Sequence, residues 1–178
     1  MVFAHDTQVS LQTMAALVNT AGEPDALSGV ADLDEFVRTW SFTGRHDGDE
    51  AELTQVRRLR GRLRDYFDLP DDKLVEAVNG LLRGGRALPQ VVRHDEWGWH
   101  LHAIGPEQPL ATRMAVEAAM ALVDVLRAQE TDRLRTCDAP DCDRVLVDLS
   151  RNRSRRFCGT NCGNRVAAAA YRSRLAGR

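Results

Sequence analysis

Four cysteines are the residues of this 178-residue chain whose type and spacing most directly indicate a chemistry. They form two close pairs, Cys137 with Cys142 and Cys158 with Cys162, in the pattern C-x4-C-x15-C-x3-C. Two such pairs separated by a strand-compatible segment can surround one zinc ion tetrahedrally, because each pair holds one side of the ion. We therefore predict one structural zinc ion in a closed shell of four thiolates. A disulfide is the alternative, which a reducing cytosol disfavours.

The segment that holds these cysteines is strongly basic. Residues 133–178 contain eleven arginines and four aspartates, a net charge of +7, whereas residues 1–132 carry −9. Four thiolates with one Zn²⁺ contribute −2, so the segment stays near +5 when metal is bound. A basic segment on an acidic body favours an anionic partner, and DNA is the partner we predict. The candidate nucleic-acid-binding residues are Arg151, Arg153, Arg155, Arg156, Arg165 and Arg172.

Several interpretations of these arginines stay open. The four between residues 151 and 156 lie around a tight turn and could clamp phosphates through charge and paired N–H groups. They could instead form a solvated turn, or a docking surface for the acidic N-terminal part. Arg165 follows the last cysteine and either contacts nucleic acid or supports the metal site.

Hydrophobic spacing predicts the elements that position this segment. A predicted capping box, with Asp32 as the N-cap and Glu35 reaching back, begins the second helix. Within the cysteine segment, residues 144–148 read as a strand, 150–154 as a turn and 155–157 as the returning arm. Helices are predicted over residues 8–21, about 35–40, 49–67, 71–84, 108–128 and after Cys162, with a β-hairpin over 87–104.

The predicted fold class is α+β and mostly α. It comprises a helical N-terminal domain with one β-hairpin, residues 1–132, and a treble-clef-like zinc finger with four cysteine ligands, residues 133–178. The alanine-rich helix over 108–128 either lies at the centre of the helical domain or forms the seam of a homodimer.

The β-hairpin concentrates aromatic and imidazole side chains. A structural role is one interpretation, and metal ligation by the histidines is another. A third is contact with a small-molecule effector of the helical domain, for which the candidate residues are Trp97, Trp99, His100 and His102.

Other classes of protein are disfavoured. No apolar run approaches the ~20 residues of a membrane helix, and the N-terminus lacks the pattern of a signal peptide, so we expect a cytoplasmic protein. No paired carboxylates, nucleophile–base set or phosphate-binding loop stands out, so we expect no enzyme.

The cysteine segment resembles the CGNR zinc fingers. Cys162-Gly163-Asn164-Arg165 matches their signature, and Asp148, Ser150-Arg151-Asn152, Arg155-Arg156 and Cys158 match their D-x-S-R-N…R-R-x-C stretch. Val18-Asn19-Thr20 and Asp32-Leu33 are similar to the partner domain of that family, called ABATE. The resemblance implies a stress-induced transcription regulator whose zinc finger binds DNA.

One stretch departs from the family pattern. Members tend to carry basic residues directly after CGNR, whereas this chain has VAAAA over 166–170. Arginines return at Arg172 and Arg174, which favours the turn arginines as the phosphate contacts. The alternative function is a zinc-scaffolded protein-interaction module without direct DNA binding.

Overall fold

The structure, a computed structural model, describes residues 3–93 and 98–176. These residues form six α-helices, one short 3-10 helix and two separate two-stranded antiparallel sheets, which confirms a mostly helical α+β fold. The elements are α1 (His5–Asn19), α2 (Val30–Thr39), α3 (Glu50–Asp65), α4 (Asp71–Gly84), β1 (Gln90–Arg93), β2 (Trp99–His102), α5 (Leu110–Arg127), the 3-10 helix (Thr131–Arg133), β3 (Leu134–Thr136), β4 (Val145–Val147) and α6 (Thr160–Ala176).

Helix α5 is the centre of the helical domain. It packs against α1, α3 and α4. Alanines on its buried faces, among them Ala115, Ala118 and Ala119, let the neighbouring helices approach closely. Of the two interpretations of this helix, the interior one is confirmed. No helix among the described residues is long and apolar enough to cross a membrane.

Helix α2 begins earlier than its sequence pattern predicted. Its first residue is Val30, and the N-cap is the extended Gly29. The Asp32 carboxylate accepts hydrogen bonds from the backbone N–H groups of Gly29, at 3.0 Å, and Ser28, at 2.8 Å. The prediction that Asp32 is the N-cap was therefore wrong. It lies one turn into the helix and reaches back, because Gly29 has no side chain to cap with, while Glu35 pairs with Arg38.

The loop before α3 is held by a histidine between two carboxylates. His46 places Nδ1 2.7 Å from Glu52 Oε2 and Nε2 2.7 Å from Asp34 Oδ1. Burial lowers the pKa of His46, but the hydrogen bonds to Asp34 and Glu52 raise it more, so the net shift is upward. The imidazolium form donates to both carboxylates at once.

We expect His46→Gln to destabilise the protein by about 1 kcal/mol at acidic pH and by less at alkaline pH. A raised pKa contributes stability that is fully present below the unfolded value of about 6.5 and is lost as pH rises through the folded value. Urea unfolding of both proteins at about pH 6 and about pH 9 measures this. A difference that stays constant or grows toward alkaline pH would contradict the imidazolium bridge.

Strand β4 connects the helical domain to the cysteine segment. Its partner is β3, with Leu134 opposite Val147. The predicted returning arm, residues 155–157, is therefore not its partner. That prediction was wrong because β3, which precedes the first cysteine, places Leu134 in the core opposite Val147, whereas residues 155–156 are exposed. The second sheet pairs β1 with β2 in the predicted hairpin.

The two faces of β4 enter two different apolar clusters. Val145 and Val147 belong to the main helical core, as does Leu134. Leu146 points the other way and packs with Cys137 and Ala139 in a second cluster. The core of the helical domain thus includes residues beyond 132, and β4 contributes side chains to both clusters.

Asn19, the last residue of α1, fixes the position of β4. Its side-chain amide donates to the Val145 carbonyl at 2.8 Å, and its Oδ1 accepts from the Val145 N–H at 2.8 Å. The Asn19 side chain therefore makes the two backbone hydrogen bonds that a neighbouring strand would make to Val145.

Asn19→Ala should destabilise the chain by about 2 kcal/mol, because it leaves a buried N–H and carbonyl of Val145 unpaired. Denaturant unfolding of the zinc-loaded protein gives the value. Asn79→Ala, at an exposed position of α4, is the matched control and should change stability by less than about 0.5 kcal/mol. Equal effects of the two substitutions would show that Asn19 does not anchor the strand.

Candidate metal centre

The four cysteines lie on two short loops, or knuckles, residues 137–142 and 158–162. Each knuckle is held by its own backbone structure. In the first knuckle the Cys137 N–H donates to the Arg144 carbonyl at 2.8 Å, and the Cys142 N–H donates to Ala139 at 3.1 Å. The second knuckle begins at Cys158 and runs into the first turn of α6, where Cys162 lies. Cys158 also donates its N–H to Cys137 Sγ at 3.4 Å, which joins the two knuckles.

The sulfur positions fit a tetrahedral zinc ion. All four sulfurs lie within 4.8 Å of one another. Cys158 Sγ is 3.7 Å from both Cys142 Sγ and Cys162 Sγ. A tetrahedron with zinc–sulfur bonds of about 2.3 Å has sulfur–sulfur edges of about 3.8 Å. Disulfide sulfurs would lie at about 2.05 Å, so the thiols are arranged for a metal.

The surroundings of the sulfurs require a cation. Burial and the neighbouring thiols raise the pKa of Cys158 well above its ordinary value. Burial also raises the pKa of Cys137, but backbone N–H donors from Cys158 and Ala139 lower it more. Four thiolates this close together are stable only with a positive charge between them, and Zn²⁺ supplies it.

An apolar shell surrounds the sulfurs. Leu146 lies beneath them, and Phe157 and Val166 pack against the same cluster. A β-carbon on Gly163 would come within 3.3 Å of the Phe157 ring, a tighter contact than most side chains make. Glycine at this position lets the first turn of α6 close over the ring.

Asp148 organises the turn between the knuckles. It is fully buried, and its Oδ1 accepts from the N–H and hydroxyl of Ser150 while Oδ2 accepts from the Arg155 N–H. Burial raises the pKa of Asp148, but these donors lower it more, so the carboxylate is ionised. The D-x-S stretch of the sequence is therefore a structural clamp.

Arg133 is a structural residue that the sequence did not single out. It is 2% exposed and donates to the carbonyls of Asp148 at 2.7 Å and Ser150 at 2.9 Å. Its Nε contacts the Glu130 carboxylate at 2.7 Å. No signal in one sequence distinguishes this arginine from its ten neighbours, because its role depends on contacts fifteen to seventeen residues away.

Three of the four turn arginines are exposed but have partners within the chain. Arg153, which has a positive φ of 50°, contacts Glu130 at 2.7 Å. Arg155 donates to the Cys158 carbonyl at 3.0 Å, and Arg156 contacts Asp138 at 2.7 Å. Arg151 is exposed, and no partner for its guanidinium lies among the described residues.

The candidate arginines of α6 lie in different settings. Arg165 places Nη2 3.9 Å from Cys162 Sγ, so its charge lies beside a thiolate. Arg172 is exposed and, within residues 3–93 and 98–176, has no hydrogen-bond or ion-pair partner; Arg174 is in the same situation. The helix is exposed from Ala167 to Leu175.

The proposed ligand-contact residues that the structure describes lie on two different faces of β2. Trp97 lies outside the described residues. Trp99 is 71% exposed, with the Arg93 guanidinium 5.8 Å from its ring centre. His100 and His102 lie on the opposite face of β2, their Nε2 atoms 3.0 Å apart.

Fold and site together define a helical domain followed by a four-cysteine zinc finger. The last cysteine of the finger lies in the first turn of α6. The chain matches the family model of the CGNR zinc finger over residues 133–175 and that of ABATE, described as "Putative stress-induced transcription regulator", over residues 12–129. It belongs to the ABATE family and carries a CGNR zinc finger. The comparison with curated proteins found no match. Its cofactor is one structural zinc ion, held by Cys137, Cys142, Cys158 and Cys162.

Removal of zinc should destabilise the helical domain as well as the finger, because β4 belongs to both clusters. We expect the thermal midpoint followed by far-UV circular dichroism to fall by about 5 °C or more after chelation. Metal analysis should give one zinc per chain before chelation.

Cys158→Ser should reproduce the chelated state without added chelator and should not respond to chelator afterwards. A metal-free chain whose helical core melts at the same temperature as the zinc-loaded chain would refute the coupling. A Cys158→Ser protein that keeps its zinc would refute the ligand assignment.

Proposed function

We propose that this protein is a zinc-dependent transcription regulator whose CGNR finger binds duplex DNA mainly through helix α6. The observation that carries the proposal is the state of that helix. It leaves the zinc shell at Val166 and is then exposed, with Arg172 and Arg174 free of intramolecular partners among the described residues. Arginines that the fold does not use are available to phosphates.

The dimensions of α6 suit the major groove. Its 17 residues extend about 25 Å, and an α-helix fits a groove about 12 Å wide. The alanines from 167 to 170 make the helix thin on several sides, so its backbone can approach the duplex closely. Alanine methyl groups also suit contact with the methyl group of thymine.

The turn arginines receive a different role in this proposal. Arg153 and Arg155 hold the turn against Glu130 and the second knuckle. Arg151 extends the basic surface from the turn. Because Arg153 and Arg155 also contact groups of the protein, their substitution would combine a change in the turn with any loss of phosphate contacts, so Arg172 and Arg174 give the cleaner test.

The positive charge of residues 133–178 supports an anionic partner for this segment. The segment 133–178 remains near +5 with zinc bound, while the rest of the chain is acidic. Binding by such a surface releases counterions and is steeply dependent on salt. The four-thiolate shell leaves no open metal position, so the proposed role is regulatory and not catalytic.

A protein-docking role of α6 is the second candidate. Tyr171 and Leu175, four residues apart on one face, are 58% and 55% exposed. This pair could anchor a partner helix. Docking of this kind would tolerate salt, whereas phosphate binding would not.

Arg172→Ala combined with Arg174→Ala should weaken binding of the zinc-loaded chain to duplex DNA without loss of fold. If each arginine contacts one phosphate, the slope of log K against log salt should become shallower by roughly 2. Fluorescence anisotropy with a random-sequence duplex at several NaCl concentrations measures both quantities.

Arg58→Ala with Arg83→Ala is the matched control, since it removes two exposed arginines from α3 and α4 with the same change in net charge. Equal weakening by both pairs would assign the effect to net charge alone. Absence of binding by the unmodified protein, or binding that survives about 1 M salt, would favour the docking role.

A further inference from the structure

A small acidic cleft lies between α1, α5 and the segment that begins with β2. It has a volume of about 50 Å³, room for roughly four non-hydrogen atoms. Its polar lining comes from three residues of α1 and two of α5: Asp6, Thr7, Ser10, Glu117 and Asp124. Leu101 contributes to its apolar lining. None of the described residues that line it is basic.

Glu117 lies where this cleft meets the interior. It lines the cleft and also a neighbouring cavity of about 10 Å³ with several apolar walls, as does Ser10. Within the described part of the chain no group donates a hydrogen bond to the Glu117 carboxyl. Burial raises the pKa of Glu117 to about 7, against the weaker opposing influence of Arg113.

Arg113 is near in sequence but is engaged elsewhere. Its guanidinium donates to the backbone carbonyls of Gln108, Thr43 and Arg45. Among the described residues, Asp124 accepts one side-chain hydrogen bond, from the Thr7 hydroxyl at 2.6 Å. The cleft therefore has more carboxylate oxygens than the described residues supply with donors.

No three carboxylates of the cleft lie close enough together to ligate one metal ion. Among residues 3–93 and 98–176, only the four cysteines bring three or more ligand atoms within 4.8 Å of one another. The cleft also has an apolar side, formed by Leu101, Ala103 and Met120. A ligand that satisfies both sides has a cationic donor group and a short hydrocarbon part.

We propose that the cleft binds a small organic cation, a primary ammonium with a short alkyl chain. The ammonium group donates to Glu117, the carboxyl without a donor among the described residues, and the negative charge of Asp124, two turns further along α5, attracts it as well. The alkyl part lies against Leu101 and Met120. This is a ligand site of the helical domain that is separate from the zinc centre and from α6.

The test titrates the full-length, zinc-loaded protein with propylammonium chloride at constant ionic strength, followed by backbone amide shifts in α1 and α5. We expect saturable shifts, and affinity at least about tenfold weaker for 1-propanol and for propionate, which lack the charge or reverse it. Concentrations up to about 100 mM cover the affinity open to a four-atom ligand.

Glu117→Gln should weaken propylammonium binding about tenfold or more while the circular dichroism spectrum stays unchanged. Glu76→Gln, at an exposed carboxylate of α4, is the matched control and should bind as the unmodified protein does. If Glu117→Gln fails to fold, Asp124→Asn makes the same test. Absence of saturable shifts, equal binding of 1-propanol, or unaltered binding by the folded Glu117 or Asp124 variant overturns the proposal.

Discussion

The burial of β4 on both faces is the constraint on which the rest of this structure depends. A strand alternates its side chains, so Val145 and Val147 enter the helical core while Leu146 supports the cysteine knuckles. Asn19 holds this strand to the end of α1 through both backbone groups of Val145. The zinc finger is therefore packed onto the helical domain through β4, and we expect metal binding and helix packing to stabilise one cooperative unit.

Two buried charged side chains hold the turn of the finger, in addition to the metal site. Asp148 and Arg133 lie below 3% exposure, and together they satisfy the backbone of the turn between the knuckles. An ionic group this deep is stable only when its hydrogen bonds are complete. Arg153 and Arg155, although exposed, also have hydrogen-bond partners around this turn, whereas Arg172 and Arg174 of α6 have none among the described residues.

Helix α1 links the two regions to which we assign binding roles. Its first turns line the acidic cleft through Asp6 and Ser10, and its last residue, Asn19, holds β4. A ligand that orders the first turns of α1 would act on the helix that positions the finger. The coupling would pass through packed and hydrogen-bonded groups, without any need for a change of fold.

The sequence alone determined the metal site and most of the helices. Ligand type and spacing restrict what four cysteines can bind, and apolar spacing marks helices such as α3 and α5, whose predicted ends lie within two residues of the observed ones. Only the tertiary structure decided the partner of β4, the N-cap of α2 and which arginines have partners among the described residues. Each of these depends on which distant groups meet: Arg153 with Glu130, Arg133 with Asp148, Asn19 with Val145. Local sequence states the charge and hydrogen-bonding capacity of a side chain, but the packed chain determines its partner.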